Sequence, residues 1–300
     1  MSTRIPALTS RQVMSSFPKR QKDSHKGQFG IVAVIGGASG MVGAPLMAAR
    51  AALKLGAGCV HVGLLAENAP VVDPMQPELM LHKASDLIRL VPLPNPLPKS
   101  GEGANVKNNF DVLAIGCGLG RDLAAQKLLH DAMNTDAALV LDADALNILA
   151  QRPDLRTTLL GRKAATVITP HPGEAARLLG CEIDEVQADR AAAVQQLAKK
   201  FGATVVLKGA DSLCATRDGK LHVNQTGNPG MSAPGMGDVL TGMIAAFIAQ
   251  GMSADNALLL AVHLHGAAGD ELAKQVATIG MSATEVTEWA RWLLNQWAIL

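Results

Sequence analysis

Short aliphatic runs recur along the chain, and between them lie longer stretches whose apolar positions repeat at helical spacing. The runs Ile31 to Ile35, Cys59 to Leu64, Val112 to Ile115, Ala138 to Leu141, Thr166 to Thr169 and Thr204 to Leu207 predict strands. Helices are predicted over Pro45 to Leu55, Asp122 to Met133, Asp144 to Ala150, Gly173 to Leu179, Arg190 to Phe201, Asp238 to Ala249, Ala254 to Gln275 and Ala283 to Trp297. Such strands lack a polar face, so they belong in a parallel sheet covered by helices on both sides, an α/β architecture of three layers. Near the C-terminal third the rhythm changes. Ser212 to Thr216 and Lys220 to Asn224 flank Arg217-Asp218-Gly219, and Asp-Gly signals an antiparallel hairpin there. The Pro-rich run Val91 to Gly101 can continue neither a helix nor a central strand and is expected as a surface loop.

Composition narrows what this architecture can serve. With 300 residues, 48% hydrophobic and 18% charged, the chain fits one globular α/β domain, although a prior of ~150 residues per domain would allow two. Lys plus Arg number 27 against 26 Asp plus Glu, so no bulk field attracts nucleic acid or an anionic membrane, and an anion must be held locally by loops. Tyrosine is absent and aromatics make up 3%, which argues against platforms for stacking bases. Cys59, Cys117, Cys181 and Cys214 show no C-x-x-C spacing and no neighbouring His cluster, so neither a disulfide framework nor a zinc site is expected. No apolar leader is legible in Met1 to Gln28, and no run reaches the ~18 apolar residues of a membrane span. A reducing cytoplasmic location is expected.

In open α/β sheets the chemistry lies in loops beyond the carboxyl ends of the strands. The strongest such loop is GNPGMSAPGMGDVLTG, Gly227 to Gly242, whose glycines and helix start make an anion cradle around Gly235, Met236 and Gly237. Asp238 there is either a general base on a hydroxyl that attacks bound phosphate or an ordinary helix cap. IGGASGMVGAP, Ile35 to Pro45, follows a strand but fits neither the Walker pattern nor G-x-G-x-x-G, which leaves a Rossmann role with Glu67 as ribose acid a minor alternative. IGCGLG, Ile115 to Gly120, is a further tight turn that lines something or simply turns. In DADALN, Asp142 could hold magnesium through water, while Asp144 is expected to cap the next helix. TPHPGE sets His171 at a strand end between two prolines, and LKGADS sets Lys208 beside Gly209, where it could pair with phosphate or be merely solvated. His263 and His265, two apart on a helix, make no metal pair.

Taken together, Lys26 to Gly58, DADALN, TPHPGE, LKGADS and GNPGMSAPGMGDVLTG resemble, in order, the ADP-dependent NAD(P)H-hydrate dehydratases. The resemblance implies a ribokinase-like domain over 26–300 after an N-terminal extension over 1–25. It implies conversion of the S form of hydrated NADH or NADPH to NADH or NADPH while ADP is cleaved to AMP and phosphate. It puts Asp238 at the hydrate as base, Ala44, Gly118 and His171 around the hydrated dinucleotide, and Lys208, Gly209, Ala210, Asp211, Ser212 and Gly237 around the nucleotide. Magnesium is expected with the diphosphate, and a homo-oligomer, tetramers included, as the assembly. The chain departs from the pattern at Cys117, where relatives commonly have Pro, and at Ser232-Ala233-Pro234. With no room for an epimerase domain, it is expected to rely on a separate epimerase or on spontaneous epimerisation. Two rivals stand: an ATP-dependent kinase of a small alcohol or vitamin precursor, and a nucleotide-binding protein without turnover.

Overall fold

The computed structural model describes residues 5–89 and 110–299. The expected Pro-rich surface loop falls outside them. Nine strands form one sheet among the described residues: β1 (Ile31–Gly36), β2 (Cys59–Leu64), β3 (Met80–Lys83), β4 (Val112–Ile115), β5 (Ala138–Leu141), β6 (Thr166–Ile168), β7 (Thr204–Leu207), β8 (Leu213–Ala215) and β9 (Leu221–Val223). Their order is β3-β2-β1-β4-β5-β6-β7-β8-β9. The first seven are parallel, and β8 and β9 run antiparallel as the expected hairpin. The chain moves outward from β1 to β3 and then crosses back to β4, so the direction of winding switches between β1 and β4.

Helices cover both faces: α1 (Ser10–Met14), α2 (Gly43–Lys54), α3 (Ala84–Arg89), α4 (Leu123–Met133), α5 (Ala143–Gln151), α6 (Pro153–Leu160), α7 (Pro172–Leu179), α8 (Ile183–Ala188), α9 (Arg190–Phe201), α10 (Met236–Ala249), α11 (Ala254–Gln275) and α12 (Ala283–Ile299). Strand residues alternate between two cores, as a period of two requires. Val32, Val34, Val112 and Val140 pack with α2, α10, α11 and α12. Ala33, Ile35, Leu113 and Leu139 pack with α3 to α9. Each fully buried Val, Leu or Ile among them stabilises the fold by roughly 1.5–3 kcal/mol. Helix α10 is apolar nearly all round and buried along its length, which fixes the position of anything carried on its first turn.

The residues ahead of Lys26 join the same core. Leu8 and Val13 are buried in it, the Leu8 N–H donates to the Val223 carbonyl at 2.9 Å, and Arg20 donates to the Gly56 carbonyl at 2.7 Å. No helix among the described residues is long and apolar enough to cross a membrane.

Candidate active site

Loops at the carboxyl ends of β1, β4, β5, β6 and β7 meet the start of α10. The first two are zipped together at the winding switch, where the Gly37 N–H donates to the Cys117 carbonyl at 3.3 Å and the Ala38 N–H to the Gly118 carbonyl at 2.8 Å. Gly118 has φ 58, and a Cβ on it would lie 2.7 Å from the Met41 carbonyl oxygen and 3.3 Å from Ala44 Cβ. Only glycine fits so close an approach in that conformation. Ala44 and Gly118, expected to share a ligand, are thus neighbours.

Gly235, at φ 87, is the cap of α10, and no side chain caps the helix. Asp238 is therefore not the helix cap but the third residue of the helix. Its carboxylate, the Asp142 carboxylate and the Cys117 thiol all approach within 4.8 Å of one another. Burial pushes the Asp238 carboxyl up to about 6; the neighbouring Cys117 thiol opposes this, the Asp142 charge adds to it, and the Lys208 charge opposes it.

Asp142 faces the opposite situation. Lys208 Nζ donates to one of its oxygens at 2.8 Å and Thr241 Oγ1 to the other at 3.0 Å. Burial acts to raise Asp142, yet the Lys208 charge and hydrogen bond hold it below the usual carboxylate range. Lys208 in turn is raised: burial opposes its charge, but Asp142 and Glu174 outweigh burial. Glu174 Oε2 lies 3.9 Å from Lys208 Nζ and accepts the His171 N–H at 2.9 Å. The His171 ring caps α7, its Nδ1 accepting from the Gly173 and Glu174 N–H groups at 3.1 and 3.4 Å. That leaves the imidazole proton on Nε2, which lies 3.3 Å from Glu174 Oε1. With Nδ1 engaged by the backbone and Nε2 facing the Glu174 carboxylate, the half-exposed ring itself is what His171 offers a ligand.

A cavity of about 540 Å³ opens beside this network. Lys208, Gly209, Ala210, Asp211 and Ser212 form one wall, residues 224–228 another, and Met236 and Gly237 close the end at the start of α10. The Arg190 guanidinium pins the first wall by donating to the Ala210 carbonyl at 3.0 Å and the Leu207 carbonyl at 3.2 Å. A Cβ on Gly237 would lie 3.3 Å from Lys208 Nζ and 3.4 Å from Asp142 Oδ2, so the lysine charge sits directly beneath the helix start. Unpaired N–H groups of that first turn and the ammonium together favour phosphate at this end. Asp238 follows Gly237 and stands beside Cys117, the residue before Gly118.

Asp144 departs from expectation. Residue Asp142 occupies the cap position of α5, and Asp144 instead accepts from the Gly120 N–H at 2.9 Å and from Arg121 Nε at 3.1 Å. The carboxylate is drawn across to the turn after β4 because that turn presents a free N–H beside a cation. Several participants went unnoticed in the sequence. Glu174 stands three residues after His171, the spacing of a capping box, and Thr241 stands three after Asp238 on the same helix face, so both had a local signal. His265 of α11, set aside in the sequence as half of a metal pair, lines the cavity instead.

Among the described residues, Cys117, Asp142 and Asp238 are a gathering of metal-ligand types. They do not fit a resident magnesium. The ion demands hard oxygen donors in octahedral array, whereas here one member is a thiol and both Asp142 oxygens are already taken by Lys208 and Thr241. Asp142 serves as the counter-ion of Lys208.

Comparison with known proteins agrees with this geometry. The family profile for NAD(P)H-hydrate dehydratase matches residues 32–291. An ADP-dependent (S)-NAD(P)H-hydrate dehydratase of Neisseria meningitidis is 43% identical over 285 residues, covering 93% of this chain and 90% of that protein. A bifunctional NAD(P)H-hydrate repair enzyme of Coxiella burnetii is 40% identical, and the match covers 96% of this chain but only 55% of that protein, so the chain spans about half the length of such relatives. The crystal structure of a Bacillus subtilis ADP/ATP-dependent NAD(P)H-hydrate dehydratase, co-crystallised with ATP and Mg2+, superposes with a TM-score of 0.85 at 28% identity, covering 99% of this chain and 100% of that one. The three-layer fold is ribokinase-like, as the sequence resemblance implies. On sequence, fold and extent of match alike, the chain belongs to the NAD(P)H-hydrate dehydratase family.

Proposed function

We propose that the protein catalyses the ADP-dependent dehydration of the S form of hydrated NADH and NADPH, releasing AMP and phosphate. The observation that carries this reading is a carboxylate raised to about 6, without an ion-pair partner among the described residues, on the first turn of α10 beside the phosphate-favouring end of the cavity. Such a group is ionised at neutral pH yet basic enough to take a proton, a role that contributes about 10²–10⁴-fold in rate. Hydroxide leaves a carbon poorly, whereas phosphate leaves well. Asp238 takes the proton of the hydrate hydroxyl as its oxygen attacks the terminal phosphorus of ADP. The new O–P bond forms as the P–O bond to AMP breaks. The C–O bond then breaks with its electrons leaving on phosphate, and loss of a proton from the neighbouring ring carbon restores the double bond. Lys208 and the N–H groups of Gly235 to Gly237 stabilise charge on the transferring phosphoryl group.

In this reading the hydrated dinucleotide lies against Ala44, Gly118 and the His171 ring, and the AMP portion against residues 208–212. Magnesium arrives with the diphosphate, which it neutralises. An epimerase supplies the S form, a partner that the bifunctional repair enzymes among the relatives suggest. A protein that merely binds nucleotide has no use for a half-buried carboxylate whose charge burial disfavours.

The test mixes purified protein with hydrated NADH, magnesium and either ADP or ATP, following reduced-nicotinamide absorbance and AMP. Absorbance returning faster with ADP, with AMP formed in step, is the expected result. Nucleotide binding without recovery overturns the reading and favours a kinase of a small alcohol, to be screened with ATP.

A further inference from the structure

The Cys117 thiol is 1% exposed, and its place is set by backbone: its carbonyl is held by the Gly37 N–H, and it stands between Gly116 and Gly118, both at positive φ. Its sulfur lies within 4.8 Å of a carboxylate oxygen of Asp238 and of one of Asp142. The oxygens of Asp142 already accept from Lys208 and Thr241, so Asp142 offers Asp238 only a like charge. We propose that Cys117 is a positioning residue for the base: its thiol donates to the Asp238 carboxylate, orients it at the start of α10 and stabilises its charge without neutralising it.

Chemistry explains why a thiol suits the task. Burial and the two carboxylates push the Cys117 thiol well above its usual range, so it stays a neutral donor. A cation on Asp238 would hold it too acidic to accept a proton, as Lys208 does to Asp142. A weak donor moderates the cost of burial and leaves the carboxylate basic. Among the described residues, the charged groups acting on Asp238 are Asp142 from the loop after β5 and Lys208 from the loop after β7. Helix α2, packed on α10, contributes Arg50 and Lys54, which are taken by Asp73 and by Glu288 of α12. From α11, His265 is held neutral by burial and Lys208, pushed down to about 4.

This inference rests on Asp238 as the base, and the experiment separates the two ideas. Protein labelled with 13C at aspartate carboxyls reports the Asp238 titration without substrate, with the resonance assigned by its loss in Asp238→Asn. Wild type, Cys117→Ser and Cys117→Ala are compared, each checked for unchanged ADP binding. Asp238 should titrate highest in the alanine variant and lowest in the serine variant, whose hydroxyl is the stronger donor, with steps of roughly half a unit to one unit. The acid limb of kcat/KM for hydrate repair should follow the same order, leaving Cys117→Ala about three- to tenfold slower than wild type well below pH 6. Equal titration in all three, or serine and alanine shifting the same way, overturns the contact, the latter because packing alone would do it. The expected titration order with an acid limb that ignores it overturns Asp238 as base and, with it, the catalytic purpose of the contact.

Discussion

Asp142 and Asp238 lie close to each other and to the same thiol, yet they are held in opposite senses. The loop after β5 gives Asp142 an ammonium and a hydroxyl, and its charge is secured below the ordinary range. The first turn of α10 gives Asp238 burial, a like charge and a neutral thiol, and its carboxyl is raised to about 6. Depth alone would predict the reverse, since Asp142 is fully buried and Asp238 only half-buried; the partner decides. A pair of carboxylates pushed apart in this way divides the labour, one holding a cation in place and the other free to accept a proton. Each member can be tested by removing its charge while keeping its shape.

The largest effect is expected from Asp238→Asn. Turnover should fall by about 10²–10⁴-fold because an amide cannot take the proton, while AMP or ADP binding stays largely intact. Near-normal turnover would sink Asp238 as base. Stability should move the other way. A carboxyl raised in the folded state binds protons more tightly there than in the unfolded chain, so its cost is absent below pH ~4 and grows as pH rises through 6. At pH 8 the variant should be more stable by up to about 3 kcal/mol, a gain that vanishes near pH 4 in urea titrations. The wild-type acid limb of kcat/KM should lie near pH 6.

Next comes Asp142→Asn. It leaves the Lys208 ammonium with only Glu174 nearby, and breaking a buried pair costs about 3–5 kcal/mol, of which Glu174 recovers part. Because Asp142 is lowered in the folded state, the loss should be complete above pH ~4 and should shrink as pH falls below that, where wild type itself loses the charge. Freed of its neighbour, Asp238 should titrate lower and the acid limb should move below pH 6. An acid limb that stays put would show that the two carboxylates do not sense each other.

How much of this was legible follows from where each residue sits. Lys208, Gly237 and Asp238 could be singled out because each stands in a glycine-rich loop at a strand or helix end, where backbone donors and polar side chains coincide. The central strands were equally plain, being uninterrupted aliphatic runs. Strand β3 was not: Met80 to Lys83 is an edge strand with no buried position, so its sequence carries no run and no alternation. Helices α6 and α8 are short, and their apolar stripes are too brief to assert a period. In the site, the partner of each charge was hidden, since Asp142 meets Lys208 across 66 positions and Thr241 across 99. Sequence names the groups that can ionise; only the fold says which of them are neutralised. That is why Asp144, with the same flanking residues as an ordinary helix cap, went to Gly120 and Arg121 instead.

Glu174→Gln should have the smallest effect and sharpens the comparison from the far side of Lys208. Glutamine keeps the capping geometry, because its side-chain oxygen can still accept the His171 N–H. What is lost is a charge 3.9 Å from the ammonium, so stability should drop by only about 1 kcal/mol. Asp142 remains as the principal partner of Lys208, and kcat should therefore hold. The His171 ring, however, has its Nε2 beside Glu174 Oε1, and a weaker acceptor there loosens the ring. KM for the hydrated dinucleotide should rise a few-fold while KM for ADP stays unchanged. A kcat that falls as far as in Asp142→Asn would mean that Lys208 is held equally by both carboxylates, and the division drawn between Asp142 and its neighbours would need to be redrawn around the lysine.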